Sequence, residues 1–252
     1  MCIRDRRNRI IDVSHCAIAM NALNDALPEE RNRIQQTAAQ GKFRKGATLL
    51  LRATNRSVHT NPREVVEEEM GDLRFRFLAG DFFQNNPLIL PSFVDYVAGE
   101  ASTGNRFLVD AYCGSGLFAL SLAGHFESVV GVEVSESSAD WARQNALHNS
   151  LANVKIVTAS AERIFEQITF PANLTSVIID PPRKGCGEDF LQQLFFFNPE
   201  RVVYVSCNPS TQIRDLKAFE ANGYTLRRLQ PFDLFPQTKH LECVATLERG
   251  SA

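Results

Sequence analysis

No apolar run in this chain approaches the roughly 20 residues that span a bilayer, so no membrane segment is expected. Met1 to Arg9 are polar and basic with no apolar stretch behind them. A secretory leader is therefore not expected, and residues 1–9 are read as an unstructured start. The six cysteines, at 2, 16, 113, 186, 207 and 243, include no Cys-x-x-Cys pair, and their spacings fit no zinc framework. No metal site follows; free thiols in a reducing, intracellular and cytoplasmic compartment do. The net charge of −2 excludes a globally basic nucleic-acid binder, so any polyanion site must be a local patch. Internal repeats and low-complexity segments are absent as well, and no oligomeric state can be read. What remains is a 252-residue chain, 44% hydrophobic and 22% charged, with the make-up of a soluble globular protein of one large domain or slightly more.

Two unequal parts are expected. Residues 10–80 read as a small mixed α+β domain. It holds a helix over Ala22 to Gln40, a short strand over Ala47 to Ala53, and a hairpin of Glu64 to Glu69 and Leu73 to Leu78 around Met70-Gly71-Asp72. In the hairpin Phe75 and Phe77 fall on one face and Arg74 and Arg76 on the other. Residues 81–252 read as α/β. A helix over Asn86 to Ala101 leads into strands at Phe107–Asp110, Ser128–Glu133, Val154–Thr158, Ser176–Asp180 and Val202–Ser206. These alternate with helices near Leu117–Gly124, Glu136–Ser150, Ala161–Ile168, Gly187–Phe197 and Ser210–Asn222. Strands near Thr225–Leu229 and Leu241–Leu247 close the chain.

In an open α/β sheet, ligands bind outside the carboxyl ends of the strands. The first strand ends in Asp110-Ala111-Tyr112-Cys113-Gly114-Ser115-Gly116, where glycines permit a sharp turn and a close approach to a ligand. The third glycine of the dinucleotide pattern is absent, Ala119 standing there, and a plain glycine turn accounts for the run equally well. The second strand ends in Gly131-Val132-Glu133, about twenty residues on, where a carboxylate can accept both ribose hydroxyls. Glu133 could also simply charge the start of the next helix, which carries Trp141 and Asn145. Taken together, the two strand ends favour a nucleoside cofactor, and NAD and S-adenosylmethionine both satisfy them.

Asp180-Pro181-Pro182-Arg183-Lys184-Gly185 separates the two. The prolines make a stiff turn with few backbone donors, and Asp180 would face a sulfonium. Hydride transfer has no evident need of this turn. Amino-methyltransferases carry an aromatic residue where Arg183 stands, which argues against an exocyclic amine as target. Cys207, at the end of Arg201-Val202-Val203-Tyr204-Val205-Ser206 and before Asn208-Pro209, supplies what transfer to carbon requires. C5 of uracil becomes nucleophilic once a thiolate has added to C6. A free thiol is only a few per cent ionised at neutral pH, and Arg183, Lys184 or the next helix start would depress its pKa. The plainer alternative is that Cys207 is a small buried hydrophobe. A base must then remove the C5 proton. Glu242 and His240 alternate onto one side of an extended Thr238-Lys239-His240-Leu241-Glu242, with Glu242 as base and His240 as its orienter, or as a solvated strand-end pair.

Five segments resemble, in order, the S-adenosylmethionine-dependent RNA 5-methyluridine methyltransferases. They are Asp81-Phe82-Phe83-Gln84-Asn85-Asn86, Tyr112-Cys113-Gly114-Ser115-Gly116, Asp180-Pro181-Pro182-Arg183, Ser206-Cys207-Asn208-Pro209 and Thr238-Lys239-His240-Leu241-Glu242. The resemblance covers roughly Gly41 to Arg249. It implies a Rossmann-like class I methyltransferase fold, seven-stranded and mostly parallel, with an antiparallel last strand. It implies cofactor contacts from Gln84, Tyr112, Glu133 and Asp180, with Cys207 as nucleophile and Glu242 as proton acceptor. Phe83 and Gln84 would lie near a flipped uracil. The expected partner is RNA, tRNA ahead of ribosomal RNA, the Tyr112 to Phe118 segment resembling the tRNA-acting branch. Where some members carry Asn, Leu117 stands here, which removes one cofactor contact. Many members carry an N-terminal oligonucleotide-binding barrel; there is no room for one before Ile10, so the chain resembles the central and catalytic parts.

Phosphate contacts are expected from Lys42, Arg44, Lys45, Arg52 and Arg56, in a stretch from Gly41 to Asn61 without Asp or Glu, although such a stretch is also an ordinary solvated face. The target base would have to leave its stack to reach Cys207. Two other readings stand beside this one: an NAD-dependent oxidoreductase, which uses only Gly114, Gly116 and Glu133, and a non-catalytic RNA-binding protein, which leaves Cys207 and Glu242 without purpose.

Overall fold

The computed structural model describes residues 2–4, 10–41, 50–54, 57–84, 86–160 and 163–250. The chain folds as two compact units, Met1–Glu68 with Leu78–Asp81 and Glu69–Phe77 with Phe82–Ala252.

The first unit is built from short pieces. β1 (Cys2–Arg4) pairs antiparallel with β2 (Ile10–Asp12), so part of the start expected to be unstructured is a strand. Its sequence signal is weak: β1 offers one β-branched residue, Ile3, and β2 two, Ile10 and Ile11. α1 (Asn21–Ala39) runs through Pro28 and buries only Leu27. The Asn24 side chain accepts from Cys16 N at 2.8 Å and donates to Cys16 O at 3.0 Å, which fixes the approach to the helix. β3 (Arg52–Ala53) pairs antiparallel with β4 (Val58–His59). The strand expected from Ala47 is described only over Arg52–Ala53, residues 42–49 lying outside the described residues. The His59 ring is held by Ser57 Oγ at 2.9 Å, Thr54 Oγ1 at 3.2 Å and Glu64 Oε1 at 3.0 Å.

β5 (Val65–Met70) and β6 (Leu73–Leu78) form the expected two-stranded sheet. Phe75 and Phe77 are fully buried and Arg74 and Arg76 are exposed, as the alternation requires.

In the second unit the helix expected from Asn86 begins only at Leu90, as α2 (Leu90–Ala101). Asn86 turns back on itself first: its side chain accepts from Leu88 N at 3.2 Å, and Pro91 then occupies the first helical turn. Beyond it the strands are β7 (Phe107–Asp110), β8 (Ser128–Glu133), β9 (Val154–Thr158), β10 (Thr175–Ile179), β11 (Arg201–Ser206), β12 (Tyr224–Phe232) and β13 (Glu242–Arg249). The helices are α3 (Leu117–Ser121), α4 (Glu136–His148), α5 (Glu188–Phe197) and α6 (Pro209–Ala221). Between β9 and β10 the expected helix shrinks to a 3-10 turn, Phe165–Gln167, among the described residues. The sheet order is β12-β13-β11-β10-β7-β8-β9, with β13 antiparallel to both neighbours and the remaining pairings parallel. This is the expected seven-stranded sheet with an antiparallel last strand. β10 and β11 are buried along their whole length, hence their continuous apolar sequence. Strand order reverses between β7 and β10, which opens a crevice at their carboxyl ends.

Two asparagines one turn apart on α4 act as a surrogate strand for β6. Asn145 accepts from Arg76 N at 2.8 Å and donates to Arg76 O at 3.0 Å. Asn149 does the same for Arg74, at 2.9 and 2.8 Å. Asn145, fully buried, also donates to Ser115 O at 3.2 Å. Removing this amide leaves several buried backbone groups unpaired. Asn145→Ala is expected to destabilise the protein by about 2–4 kcal/mol and Asn149→Ala, more exposed, by about 1 kcal/mol. Denaturant unfolding followed by circular dichroism measures both; equal, small losses would show that the amides are incidental.

Candidate active site

A cavity of about 740 Å³ opens at the carboxyl ends of β7, β8, β10 and β11, within the range of small-molecule sites, roughly 300–1,000 Å³. Gln84, Tyr112, Glu133, Asp180, Cys207 and Glu242 all line it, as do Phe83, Arg183, Lys184 and His240.

One wall is the turn after β7. Gly116 has φ +99°, and a Cβ there would lie 2.5 Å from Leu120 Cδ1, so both conformation and space demand glycine. Asp110 ends β7 fully buried and accepts from Ala119 N at 2.9 Å. α3 is only five residues long, and its first turn is thus capped from within by the Asp110 side chain. Burial pushes the Asp110 carboxyl up to about 7, against its backbone hydrogen bonds. Glu133 joins two strand ends: Oε2 accepts from Gly114 N at 3.0 Å and Oε1 from Ser135 N at 2.8 Å. Each oxygen keeps a lone pair for a further donor, which suits a vicinal diol.

Gln84 follows Phe83, whose ring is buried and stacks on Phe77 at a centroid distance of 4.4 Å. Phe83 is thus a wedge in the core that aims Gln84; Phe82, 73% exposed, is the ring presented openly at the cavity. Gln84 Oε1 is buried with no partner among the described residues. An unmet acceptor in a cavity wall is costly unless a ligand donor meets it. Together with the Glu133 oxygens it fits a hydroxyl- and amino-bearing nucleoside cofactor.

The opposite wall carries the reactive groups. Cys207 leaves the end of β11 half-buried. Desolvation pushes its thiol up, and the negative charges of Glu242 and Asp180 push it further; a hydrogen bond from Arg183 and that cation's charge pull it down without prevailing. The expected depression of the thiol pKa is therefore reversed in sign: Arg183 acts as anticipated, but two carboxylates and burial outweigh it. Asp180 is raised well above the ordinary range by desolvation, then by Glu242 and Asp110. Glu242, 4% exposed, is pushed up to about 7 by burial, with Arg183 opposing. His240 also faces the cavity, but no hydrogen bond among the described residues joins it to Glu242; its ring instead lies edge-on to Phe235, 6.2 Å away. Its predicted role as orienter is not what the geometry provides.

Sequence reading missed Phe82, Phe235, Val134 and Ser160 as lining residues. Applying the strand-end rule to β8 and β9 as well finds Val134 and Ser160; Phe82 and Phe235 lie in irregular segments without periodicity. Of the predicted phosphate patch, Lys42, Arg44, Lys45 and Arg56 lie outside the described residues. Arg52 is engaged within its own unit, donating to Asp81 O at 2.9 Å with Glu68 nearby, and burial lowers its pKa.

The family model described as tRNA (uracil-5-)-methyltransferase matches residues 18–250. A tRNA (uracil(54)-C(5))-methyltransferase of Schizosaccharomyces pombe is 40% identical over 96% of this chain and 49% of its own length. Its namesake from Saccharomyces cerevisiae is 35% identical over 95% of this chain and 45% of its own. The chain spans about half the length of these curated relatives. The fold is shared with the crystal structure of Pyrococcus abyssi tRNA (uracil-54, C5)-methyltransferase in complex with S-adenosyl-L-homocysteine. That likeness has a TM-score of 0.71 and 22% identity over 97% of this chain and 71% of that one. A family match over nearly the whole length, on the sheet and cavity described above, makes the chain a member of the tRNA (uracil-5-)-methyltransferase family.

Proposed function

We propose that the protein transfers a methyl group from S-adenosylmethionine to C5 of a uridine in tRNA, through a covalent Cys207 adduct. The observation that carries this is the meeting of Gln84, Tyr112, Glu133, Asp180, Cys207 and Glu242 on one cavity in a chain of this family. Hydride transfer would leave Asp180-Pro181-Pro182, Cys207 and Glu242 unused.

S-adenosylmethionine supplies the methyl group as a sulfonium when bound. Glu133 accepts the ribose hydroxyls with its free lone pairs, Gln84 meets a donor with its unpartnered Oε1, and Tyr112 and Asp180 complete the pocket. A uridine flipped from its stack offers C6 to Cys207. The thiolate would add there, forming a C–S bond; the electron pair of the C5–C6 bond moves to C5, which would take the methyl group as its bond to the donor's sulfur breaks and S-adenosylhomocysteine leaves. Glu242 then accepts the C5 proton, the C5–C6 double bond is restored, and Cys207 leaves as thiolate. The thiol must be free for this, which fits an intracellular, cytoplasmic site of action. Cys16, Cys113, Cys186, Cys207 and Cys243 are unpaired.

Glu242 must be ionised to accept a proton, and its carboxyl is pushed up to about 7. Turnover is expected to rise with pH between 6 and 8 as Glu242 ionises; a pH profile of kcat/KM with no rise would remove Glu242 as base. The same shift acts on stability with the opposite sign. A carboxyl raised in the folded state contributes stability that is complete below the unfolded pKa and is lost as pH rises through the folded one. Glu242→Gln is expected to be more stable than the parent at pH 8, by up to about 3 kcal/mol, with the difference closing toward pH 4.5. Thermal melts at both pH values check this.

Cys207→Ala is expected to abolish methyl transfer to tRNA while binding of S-adenosylmethionine, followed by calorimetry, survives. Glu242→Gln is expected to slow turnover about 10²–10⁴-fold and to accumulate a protein–RNA adduct on a denaturing gel. Methylation by the cysteine variant would sink the covalent route, and normal product release by the glutamine variant would sink the base.

A further inference from the structure

Three segments that carry reactive groups converge on one buried carboxylate outside the cavity. Asp215 lies on α6, eight residues beyond Cys207, and is 2% exposed. Its Oδ2 accepts from Cys186 N at 2.9 Å and from the Tyr204 hydroxyl at 2.7 Å. Its Oδ1 accepts from Arg214 Nε at 2.8 Å and Nη2 at 2.6 Å. Tyr204 belongs to β11, three residues before Cys207, and Cys186 closes the loop that starts at Asp180. Arg214 Nη2 reaches back to the same loop, donating to Lys184 O at 3.1 Å and Cys186 O at 3.3 Å. Gly185 has φ +77°, and a Cβ there would lie 2.6 Å from Asp215 Oδ2 and 2.7 Å from Arg214 Nη2, so the loop rests on the pair without slack. Nearer the cavity, Arg183 O accepts from Asn208 Nδ2 at 3.0 Å and Thr211 Oγ1 at 3.2 Å. The loop's carbonyls at 183, 184 and 186 and its amide at 186 are thus all taken by the residues that follow the nucleophile.

We propose that Asp215 is a positioning residue for the reaction: it locks the loop after Asp180 to α6, and thereby holds the Arg183 guanidinium on the Cys207 thiol. The reaction in question is the methyl transfer proposed above, and the inference rests on that reading. The groups that face Cys207 are Glu242, Asp180 and Arg183, and only Arg183 favours the thiolate. Against two carboxylates, the balance depends on how constantly that one cation is in place. An exposed arginine on a free loop samples many rotamers; on a pinned loop its reach is fixed. Facing Asp215 are Tyr204, Cys186 and Arg214, whose hydrogen bonds fix its side chain in place.

The test is alkylation of Cys207 by iodoacetamide as a function of pH, read on the whole chain by peptide-resolved mass spectrometry. Asp215→Asn is expected to move the midpoint up by about 0.5–1 pH unit and to slow alkylation at pH 7 about 3–10-fold. In an Arg183→Ala background the same change is expected to do less than about 2-fold, because the cation it positions is gone. Methyl transfer is expected to lose kcat with KM for S-adenosylmethionine held within about 2-fold. An unmoved midpoint, an equal shift in the Arg183→Ala background, or an unchanged kcat would each overturn the proposal. If Asp215→Asn does not fold, Thr211→Val removes one of the two bonds on the Arg183 carbonyl; it is expected to slow alkylation about 2-fold, and an unchanged profile overturns the proposal. Alkylation needs neither methyl donor nor RNA. A parent protein with the coupled thiol but no methyl transfer would therefore count against the proposed function alone.

Discussion

β13 runs against both of its neighbours, and the chemistry of the cavity hangs on that reversal. In a parallel sheet every strand brings its carboxyl end to the ligand side. An antiparallel strand brings its first residue there instead. The register pairs Ser206 with Cys243, so one step further along sets Glu242 beside Cys207, the last thing β11 delivers. On the other side the register sets Glu242 against Phe232 of β12, and Glu242 is only 4% exposed. Cys207, just past β11, and Glu242, the first residue of β13, thus sit side by side at the ends of adjacent strands. Asp180, at the end of β10 one strand further on, completes a row of titratable groups across three successive strand ends.

That row is electrostatically uncomfortable. Asp180, Glu242 and Asp110 are all raised by burial, and Asp180 and the Cys207 thiol are raised further by neighbouring carboxylates. Among the described residues, Arg183 is the cation that opposes this at Cys207 and Glu242. The arrangement gives up folding stability at neutral pH for groups whose proton affinities lie where proton transfer is useful. A carboxyl near 7 is a competent proton acceptor, whereas one at its ordinary value would be ionised but too weak a base to draw a proton from carbon. The cluster also favours a positively charged ligand, because any cation placed among these carboxyls restores their ionised forms.

Much of this was legible as sequence because strand ends are legible. Apolar runs that stop just before Tyr112 and at Glu133, Asp180 and Cys207 mark four of the cavity's corners, and alternation before the last strand placed Glu242. Orientation in irregular segments was not legible. Nothing periodic in Asp81 to Asn86 says that Phe83 stacks inward on Phe77 while Phe82 faces out, or that His240 turns to Phe235. The sign of the Cys207 shift was not legible either, since it is a sum over Glu242, Asp180 and Arg183 that only the assembled cavity defines. Where a helix was expected after β9, the described residues show Phe165–Gln167 as a 3-10 turn, with Ile164 and Phe165 already buried at its start.

α4 shows how the two walls of the cofactor side are kept in step. It starts directly after Glu133, with Ser135 as its cap, and Ser135 N holds Glu133 Oε1. One face further along, Asn145 clasps Arg76 and the Ser115 carbonyl together. The neighbour of Arg76, Phe77, stacks on Phe83, and Gln84 follows. A single helix therefore fixes Glu133 at its start, the glycine turn in its middle and, through one aromatic stack, the unpartnered Gln84 oxygen. Loss of the Asn145 amide is then a stability defect that also reaches Glu133 and Gln84, which line the same cavity.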